Sequence, residues 1–262
     1  MRRLLVLCLG AALAAGCGAS QSAAGSAGGA IPERSSSGAA PTGIVVPLYA
    51  GPGPQWNEVV AQKKAHPIVP IVIIANVDNG PGSPVYSSYA AAIEKAQAAG
   101  IVVLGYVYTS YGTRSPATIE AQMTRWSTFY KVDGAFLDEM NPSDPQLYRN
   151  VTAYAHAHSL PLVMGNPGEN APGNAGPDVI NDYEQRGYPS LAFLKQPSHL
   201  AYGKRRWSYM AGAVPLRSAT IAASVPYVAY LYATDGAEPE CYCKLPTYFP
   251  QLVALLAALD AK

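Results

Sequence analysis

Eight short apolar runs separated by helix-like segments constrain the fold of this chain more than any other feature. The runs are almost continuously apolar instead of alternating with polar residues, which is typical of parallel strands covered on both faces. The predicted strands span residues 44–49, 68–76, 101–106, 134–138, 160–165, 179–183, 207–211 and 227–232. Strands that alternate with helices across one domain predict an α/β fold, a single-domain (β/α)8 TIM barrel.

The segments between the runs carry helix start and stop signals. Ser115-Pro116 and Asp144-Pro145 each place a capping side chain before a proline, which favours the first turn of a helix. Gly100 follows an amphipathic segment at residues 85–99 and is a suitable helix C-cap. An open doubly wound sheet is the competing architecture, but no G-x-G-x-x-G follows the first run and no Walker loop occurs.

The amino-terminal segment has the pattern of an export signal. Two arginines precede an apolar stretch at residues 4–15 that is too short to span a bilayer comfortably, and Ala15-Gly16-Cys17 resembles a bacterial lipobox. We therefore predict a signal peptide over residues 1–17 with lipidation at Cys17, the alternative being plain secretion after cleavage near Ala15 or Ala19. Residues 18–42, nearly all Gly, Ala, Ser and Pro, predict a flexible tether to a domain at residues 43–262. The mature protein is expected outside the cytoplasm, touching a membrane only through its lipid.

The composition limits the possible partners. Charged residues make up 13% of the chain and the net charge is +1, which argues against nucleic acid because phosphate binding needs a concentrated basic surface. Tyrosine is abundant, with 18 residues against 4 phenylalanines. Tyrosine suits stacking on sugar rings as well as ordinary packing in a core. No cofactor is indicated, and we expect a monomer.

Two of the four cysteines lie close together near the carboxyl terminus, as Cys241-Tyr242-Cys243. In an oxidising compartment this pair can form a small local disulfide that stiffens its loop. Metal binding is not supported, since no second Cys or His pair with ligand spacing lies nearby.

Acidic residues follow two of the predicted strands. Asp138 and Glu139 come directly after Gly134-Ala135-Phe136-Leu137, and Glu184 ends the sixth strand. A TIM barrel carries its active site at the carboxyl ends of its strands, so these acids are expected at one mouth. Two carboxyl groups there fit glycosidic bond cleavage, one protonating the leaving oxygen and one supporting the anomeric carbon. The plainer interpretations are a helix N-cap at 138–139 and a salt bridge from Glu184 to Arg186 or Arg205.

We hypothesise that Asp138 is the nucleophile or stabilising carboxylate, that Glu184 is the general acid/base, and that Glu139 orients one of them or exchanges roles with either. Candidate substrate-binding residues lie near the strand ends, where each tyrosine could equally pack in the core and each asparagine could equally stabilise a turn. These candidates are Tyr49, Asn76, Tyr106, Tyr111, Asn166, Tyr209, Tyr232 and, for an amino group, Asp235.

Several motifs together resemble the spherulin-4-like family across nearly all of residues 43–262. They are residues 46–49, 74–76 with 79–82, 105–107 with 109–112, Trp126 with Phe129-Tyr130, 133–139, 166–168 and Glu184. The resemblance implies a secreted barrel glycoside hydrolase that cuts a galactosamine-containing exopolysaccharide internally, with catalytic acids at Asp138, Glu139 and Glu184. The chain departs from the family pattern at residues 75–79 and at the two cysteines, which bears on the identity of the substrate.

Two other classes of function fit parts of the sequence. A non-catalytic carbohydrate-binding or matrix structural protein could use the same barrel, with its acids splayed or salt-bridged. A deacetylase would need a metal triad of Asp and His, which the positions of the four histidines do not favour. Within the hydrolase class, an N-acetylated sugar also permits attack by its own acetamide oxygen.

Overall fold

Eight parallel strands close into a barrel in the computed structural model, which describes residues 40–237 and 242–261. Each strand pairs with the next in chain order, and β1 pairs with β8 to complete the ring. The strands are β1 Gly43–Leu48, β2 Ile71–Ala75, β3 Val102–Tyr108, β4 Gly134–Asp138, β5 Leu162–Gly165, β6 Val179–Arg186, β7 Trp207–Gly212 and β8 Tyr230–Ala233. The predicted (β/α)8 TIM barrel is confirmed.

Helices cover the outside of the barrel. They are α1 Pro54–Ala65, α2 Ser87–Ala98, α3 Pro116–Tyr130, α4 Pro145–Ala157, α5 Leu191–Leu194, α6 Pro197–Tyr202, α7 Ser218–Ser224 and α8 Phe249–Asp260. The chain passes from β5 to β6 through residues 166–178 without a helix, whereas two short helices, α5 and α6, link β6 to β7.

The predicted helix signals act as expected. The Ser115 hydroxyl accepts a hydrogen bond from the Thr118 amide at 3.2 Å, and a carboxylate oxygen of Asp144 accepts one from the Leu147 amide at 3.1 Å. Gly100, just after α2, has φ +81°, a conformation that glycine adopts at little cost.

The core fills both the barrel interior and the layer between strands and helices. β2 is buried along its whole length, and each large apolar side chain buried in this way contributes roughly 1.5–3 kcal/mol. Trp126 of α3 is fully buried and donates its indole N–H to the Tyr106 carbonyl at 2.8 Å. This contact ties α3 to β3.

Several strand boundaries differ from the prediction by one to three residues, among them those of β8 and β6. β8 begins at Tyr230 and not near residue 227, because Val225–Tyr227 form a turn of 3₁₀ helix around Pro226. β6 extends to Arg186 and contains a register irregularity between Asn181 and Tyr183. This irregularity matters for the site.

Parts of the predicted export segment lie outside the described residues. They are the signal peptide with Cys17, and the predicted tether as far as residue 39. Within residues 40–237 and 242–261, no helix has the length and apolar character needed to cross a membrane.

Candidate active site

Asp138 and Glu184 meet at the carboxyl ends of the strands through one shared amide. The Asn166 side-chain nitrogen donates to Asp138 Oδ1 at 2.7 Å and to Glu184 Oε2 at 2.6 Å. Because both oxygens are bonded to the same nitrogen, they cannot be more than about 5.3 Å apart, the sum of these two distances. Two acids that are far apart in the sequence therefore form one pair.

Neighbouring strands bring these three residues together. Asp138 ends β4, Asn166 directly follows β5, and Glu184 lies on β6. The Asn166 amide donates to the Leu137 carbonyl at 2.8 Å, which continues the β4–β5 ladder by one residue. The side chain of Asn166 is therefore placed by the backbone of two strands.

The orientation of the Asn166 amide is fixed from its oxygen side. Asn181 donates its side-chain N–H to Asn166 Oδ1 at 3.0 Å, and the Gly168 backbone N–H donates to the same oxygen at 3.2 Å. Ser208 of β7 donates in turn to Asn181 Oδ1 at 3.1 Å. With its oxygen occupied by donors, Asn166 must present its NH₂ group to the two acids.

Tyrosines hold the far sides of the two carboxyl groups. Tyr106 donates its hydroxyl to Asp138 Oδ2 at 2.7 Å, and Tyr242 donates its hydroxyl to Glu184 Oε1 at 2.5 Å. The Tyr49 ring contacts both, with centroids 5.6 Å from Tyr106 and 5.6 Å from Tyr242 in edge-on geometry. Tyr232 lies behind Tyr242, 6.4 Å away between ring centroids. The acids therefore sit against an aromatic wall.

The electrostatics of the pair favour retention of a proton. Burial raises the pKa of Asp138 to about 6, and the negative charge of Glu184 adds to the rise, while the hydrogen bonds from Tyr106 and Asn166 oppose it. Burial and the nearby Asp138 also raise the pKa of Tyr106, so this hydroxyl stays protonated as a donor. Interacting carboxyl groups lose their protons as a pair, and this pair holds one proton in mildly acidic solution.

Glu139 directly follows Asp138, and a hydrogen bond from its backbone to the Asp138 carboxyl helps to lower the pKa of that group. The chain turns at Glu139 with φ +50°, and its carbonyl accepts bonds from the Thr109 hydroxyl at 2.7 Å and the Tyr111 amide at 2.6 Å. Burial raises the pKa of the Glu139 carboxyl. Its backbone shapes the loop next to Asp138, and the two acids that come together are Asp138 and Glu184.

The predicted substrate-binding residues divide into those near the carboxyl ends of the strands and Tyr209, which is turned away from them. Tyr111 is 52% exposed at the rim of the β3–α3 loop. Asn76 accepts a hydrogen bond from the Gly80 amide at 2.9 Å and so stabilises its own loop. Asp235 accepts bonds from the amide and the hydroxyl of Thr247.

Tyr209 is turned away from the mouth. It is fully buried, and its hydroxyl is 2.9 Å from that of Ser224 on α7, outside the barrel. The structure therefore does not place Tyr209 with the other candidates. The reason is the alternation of β7, which points the neighbouring Ser208 inward.

Sequence reasoning missed Asn181 and Tyr242 as site residues. Asn181 was hidden inside the predicted sixth strand, where a polar side chain in an apolar run was the available signal. Tyr242 stands between two cysteines in a loop that Gln55 of α1 holds through the Cys243 carbonyl at 2.7 Å and the Leu245 amide at 2.5 Å. Cys243 is disulfide-bonded, and Cys241, its predicted partner, lies outside the described residues.

Metal ligation has no visible basis in the part of the chain that the structure describes. No group of three or more His, Cys, Asp or Glu side chains there could hold a metal ion. The chemistry of the mouth is that of carboxyl, amide and phenol groups.

Fold and site together define a (β/α)8 barrel protein with a carboxyl pair at the carboxyl ends of its strands. The chain belongs to spherulation-specific family 4, the Spherulin4 family, which it matches over residues 43–256. It is 29% identical over 245 residues to Spherulin-4 from Physarum polycephalum, a match that covers 84% of this chain and 71% of the relative.

Two solved structures illustrate the shared barrel. Aspergillus clavatus Sph3 in complex with GalNAc superposes with a TM-score of 0.72 at 20% identity, covering 83% of this chain and 98% of Sph3. An α-amylase from Geobacillus thermoleovorans complexed with acarbose gives 0.52 at 10% identity, covering 79% of this chain and 72% of the amylase. At these identities the likeness concerns the fold.

Proposed function

We propose that this protein is an endo-acting glycoside hydrolase that cleaves an amino-sugar exopolysaccharide of the galactosamine or N-acetylgalactosamine type. The observation that carries the proposal is the pairing of Asp138 and Glu184 through Asn166 at the barrel mouth. The GalNAc bound to Sph3, which has the same fold, supports the choice of sugar. The aromatic wall beside the acids offers apolar surface for a sugar ring.

The separation of the acids favours retention of configuration. Retaining glycosidases hold their two carboxyl groups roughly 5–5.5 Å apart, whereas inverting ones need roughly 6.5–9.5 Å to admit a water molecule between the general-base carboxylate and the sugar. The upper limit of about 5.3 Å between the bridged oxygens fits the first class. The reaction then proceeds through a covalent glycosyl-enzyme intermediate.

We assign the nucleophile to Asp138 and the acid/base to Glu184, so in the reactive form the one proton that the pair holds lies on Glu184 and Asp138 is ionised. Asp138 is fixed at both oxygens by Tyr106 and Asn166, which suits attack along a defined line. Glu184 lies one residue before the exposed end of β6, where water can reach it for the second step. Asp138 forms a bond to the anomeric carbon as the bond to the leaving oxygen breaks, and Glu184 gives that oxygen its proton. Water then hydrolyses the ester, and Glu184 takes a proton from it.

The first experiment measures release of soluble oligosaccharides from a galactosamine-rich exopolysaccharide. Asp138→Asn and Glu184→Gln are each expected to lower the rate by at least about 10³-fold while remaining folded, because each removes one of two essential carboxyl groups. Glu94→Gln, an exposed acid of α2, is the matched control and should keep full activity. A wild-type protein that binds the polymer without cleaving it would instead support a carbohydrate-binding protein.

A second experiment tests stereochemistry and roles. Proton NMR of the first products should show the anomeric configuration of the substrate, and a 5-fluoro glycosyl fluoride should label Asp138, as identified by peptide mass spectrometry. Inverted products would exclude the covalent route. Retention without any labelled residue would point to attack by the acetamide of the sugar itself.

We also propose that the protein is exported and that Cys17 carries its lipid. This rests on the lipobox-like sequence before Cys17. Membrane fractionation of cells that express the native chain and Cys17→Ser tests it. Release of the variant, with the native chain retained on the membrane, is expected, and equal release of both would leave plain secretion.

A further inference from the structure

The side chains of β6 break the alternation of a regular strand. Asn181 donates a hydrogen bond to Asn166 and Glu184 accepts one from it, so both side chains face the barrel interior. Residues three apart on a regular strand normally face opposite sides. Asp182 and Tyr183 are consecutive and both face outward, Asp182 bonding to His199 and Tyr183 packing on Phe193 with ring centroids 5.5 Å apart. The pairing with β7 shifts between Asn181 and Tyr183, which makes Asp182 the extra residue of a β-bulge.

The extra residue is held by a buried His–Asp pair. His199 Nε2 lies 2.6 Å from Asp182 Oδ2, and each side chain is 1% exposed. The His199 ring stacks on Trp207, the first residue of β7, at 4.1 Å and 9°, and Phe193 of α5 contacts its edge at 5.3 Å. Removing one partner of a buried ion pair strongly destabilises the fold, because a charge is left buried without its counterpart. The His–Asp pair therefore holds the bulge against the helix layer.

We propose that Asp182 and His199 are positioning residues for Glu184, holding the bulge that turns this carboxyl group toward Asp138. The inference deepens the proposed function and rests on it for its kinetic readout. Without the extra residue in the bulge, the alternation of β6 would send Glu184 outward, and a one-residue slip moves every later side chain to the other face. The distance between the two acids therefore depends on a contact outside the barrel.

A positioning role and a merely structural role make different predictions. A pair that only holds the fold together would lower the unfolding temperature and the folded fraction but leave the turnover of each folded molecule unchanged. A pair that places Glu184 controls kcat, because proton transfer to the leaving oxygen requires hydrogen-bonding distance. KM should change less, since the aromatic wall and the rim do not move.

The kinetic test uses substitutions matched in shape. Asp182→Ala and His199→Phe, the latter keeping the stack on Trp207, are expected to lower kcat per folded molecule at least tenfold with KM within about threefold. Asp182→Asn and His199→Gln keep one hydrogen bond of the pair and should restore kcat to within about threefold of wild type. His156→Phe breaks the partly exposed His156–Asp178 pair, 2.9 Å long, and is the control expected to leave kcat unchanged.

A titration that needs no activity separates this inference from the proposed function. The ¹³C signal of the Asp138 carboxyl reports its pKa, which burial raises most and the charge of Glu184 raises further. In Asp182→Ala, Glu184 moves away and the Asp138 pKa should fall below about 6, while the part of the rise that burial causes remains. An unchanged pKa in the folded variant would overturn the positioning role, even if the wild type cleaves no polymer.

If Asp182→Ala does not fold, the double variant Asp182→Asn/His199→Phe answers the same question. It removes the buried charge and the hydrogen bond together while keeping volume and stacking, so no carboxylate is left unpaired. The same fall in kcat and in the Asp138 pKa is expected. Wild-type values for both would overturn the proposal.

Discussion

At the scale of single residues, the carboxyl pair sets the pH dependence. Burial and, next to it, the charge of Glu184 raise the pKa of Asp138 to about 6, and this value describes loss of the last proton from the pair. A hydrolase that needs one proton on the pair should lose kcat/KM as the pH rises through about 6. We expect a descending limb near that pH in the kcat/KM profile of the free protein.

The cause of that limb can be tested directly by carboxyl NMR. Glu184→Gln removes a neighbouring negative charge and should lower the Asp138 pKa, whereas Tyr106→Phe removes a hydrogen bond to the ionised form and should raise it. Shifts in the same direction for both variants would contradict this account of the site. Because the two variants are expected to shift the Asp138 pKa in opposite directions, a general loss of stability could not account for both shifts.

At the scale of elements, the contact between β3 and α3 keeps Tyr106 in place. A Cβ atom on Gly105 would lie 2.4 Å from the Trp126 ring, so the helix can approach the strand only because residue 105 is glycine. Gly105→Ala should cost roughly 1–3 kcal/mol of unfolding free energy through overpacking. It should also weaken activity, because Tyr106 is the next residue and donates to Asp138.

Denaturant unfolding measures the cost, with Gly51→Ala as the control. The nearest atom to a Cβ on Gly51 is the Tyr89 hydroxyl at 3.9 Å, an ordinary contact. A small change in Gly51→Ala and a large one in Gly105→Ala would agree with the packing argument. Equal changes would mean that the glycines act through the unfolded chain instead.

The elements also show which features the sequence could reveal. β4 begins and ends as predicted, and α3 begins after Ser115, because local signals define both. The bulge in β6 has no such signal, since it depends on His199, which lies 17 residues further along the chain. Sequence reasoning placed Glu184 at the end of that strand without a way to determine which face it would occupy.

The two sides of an apolar strand are equally hard to distinguish. Tyr209 and Tyr232 were predicted alike, yet Tyr209 faces α7 and Tyr232 faces the aromatic wall. Strands buried on both faces carry no polar alternation to mark their phase. Asp138 and Asn166 were easier to place, because polar residues that end apolar runs lie at the mouth whichever face the strand presents.

At the scale of the whole molecule, the described chain enters the barrel on the side opposite to the carboxyl pair. Thr42 precedes β1 and is fully buried, and its hydroxyl lies 2.9 Å from the Val228 carbonyl and 3.0 Å from that of Val225. The amino ends of the strands lie here, and the acids lie at the carboxyl ends. The amino-terminal region therefore joins the barrel at the end away from the proposed active site.

This arrangement predicts that the amino-terminal region serves location and not catalysis. A chain that begins at residue 40 should match the longer chain in unfolding temperature and in kcat on soluble polymer, because Thr42 and its contacts are retained. Thr42→Ala in the same chain should cost about 1–3 kcal/mol by leaving buried carbonyls without their donor, with little effect on kcat. Loss of activity on truncation alone would show that residues 1–39 take part in the site.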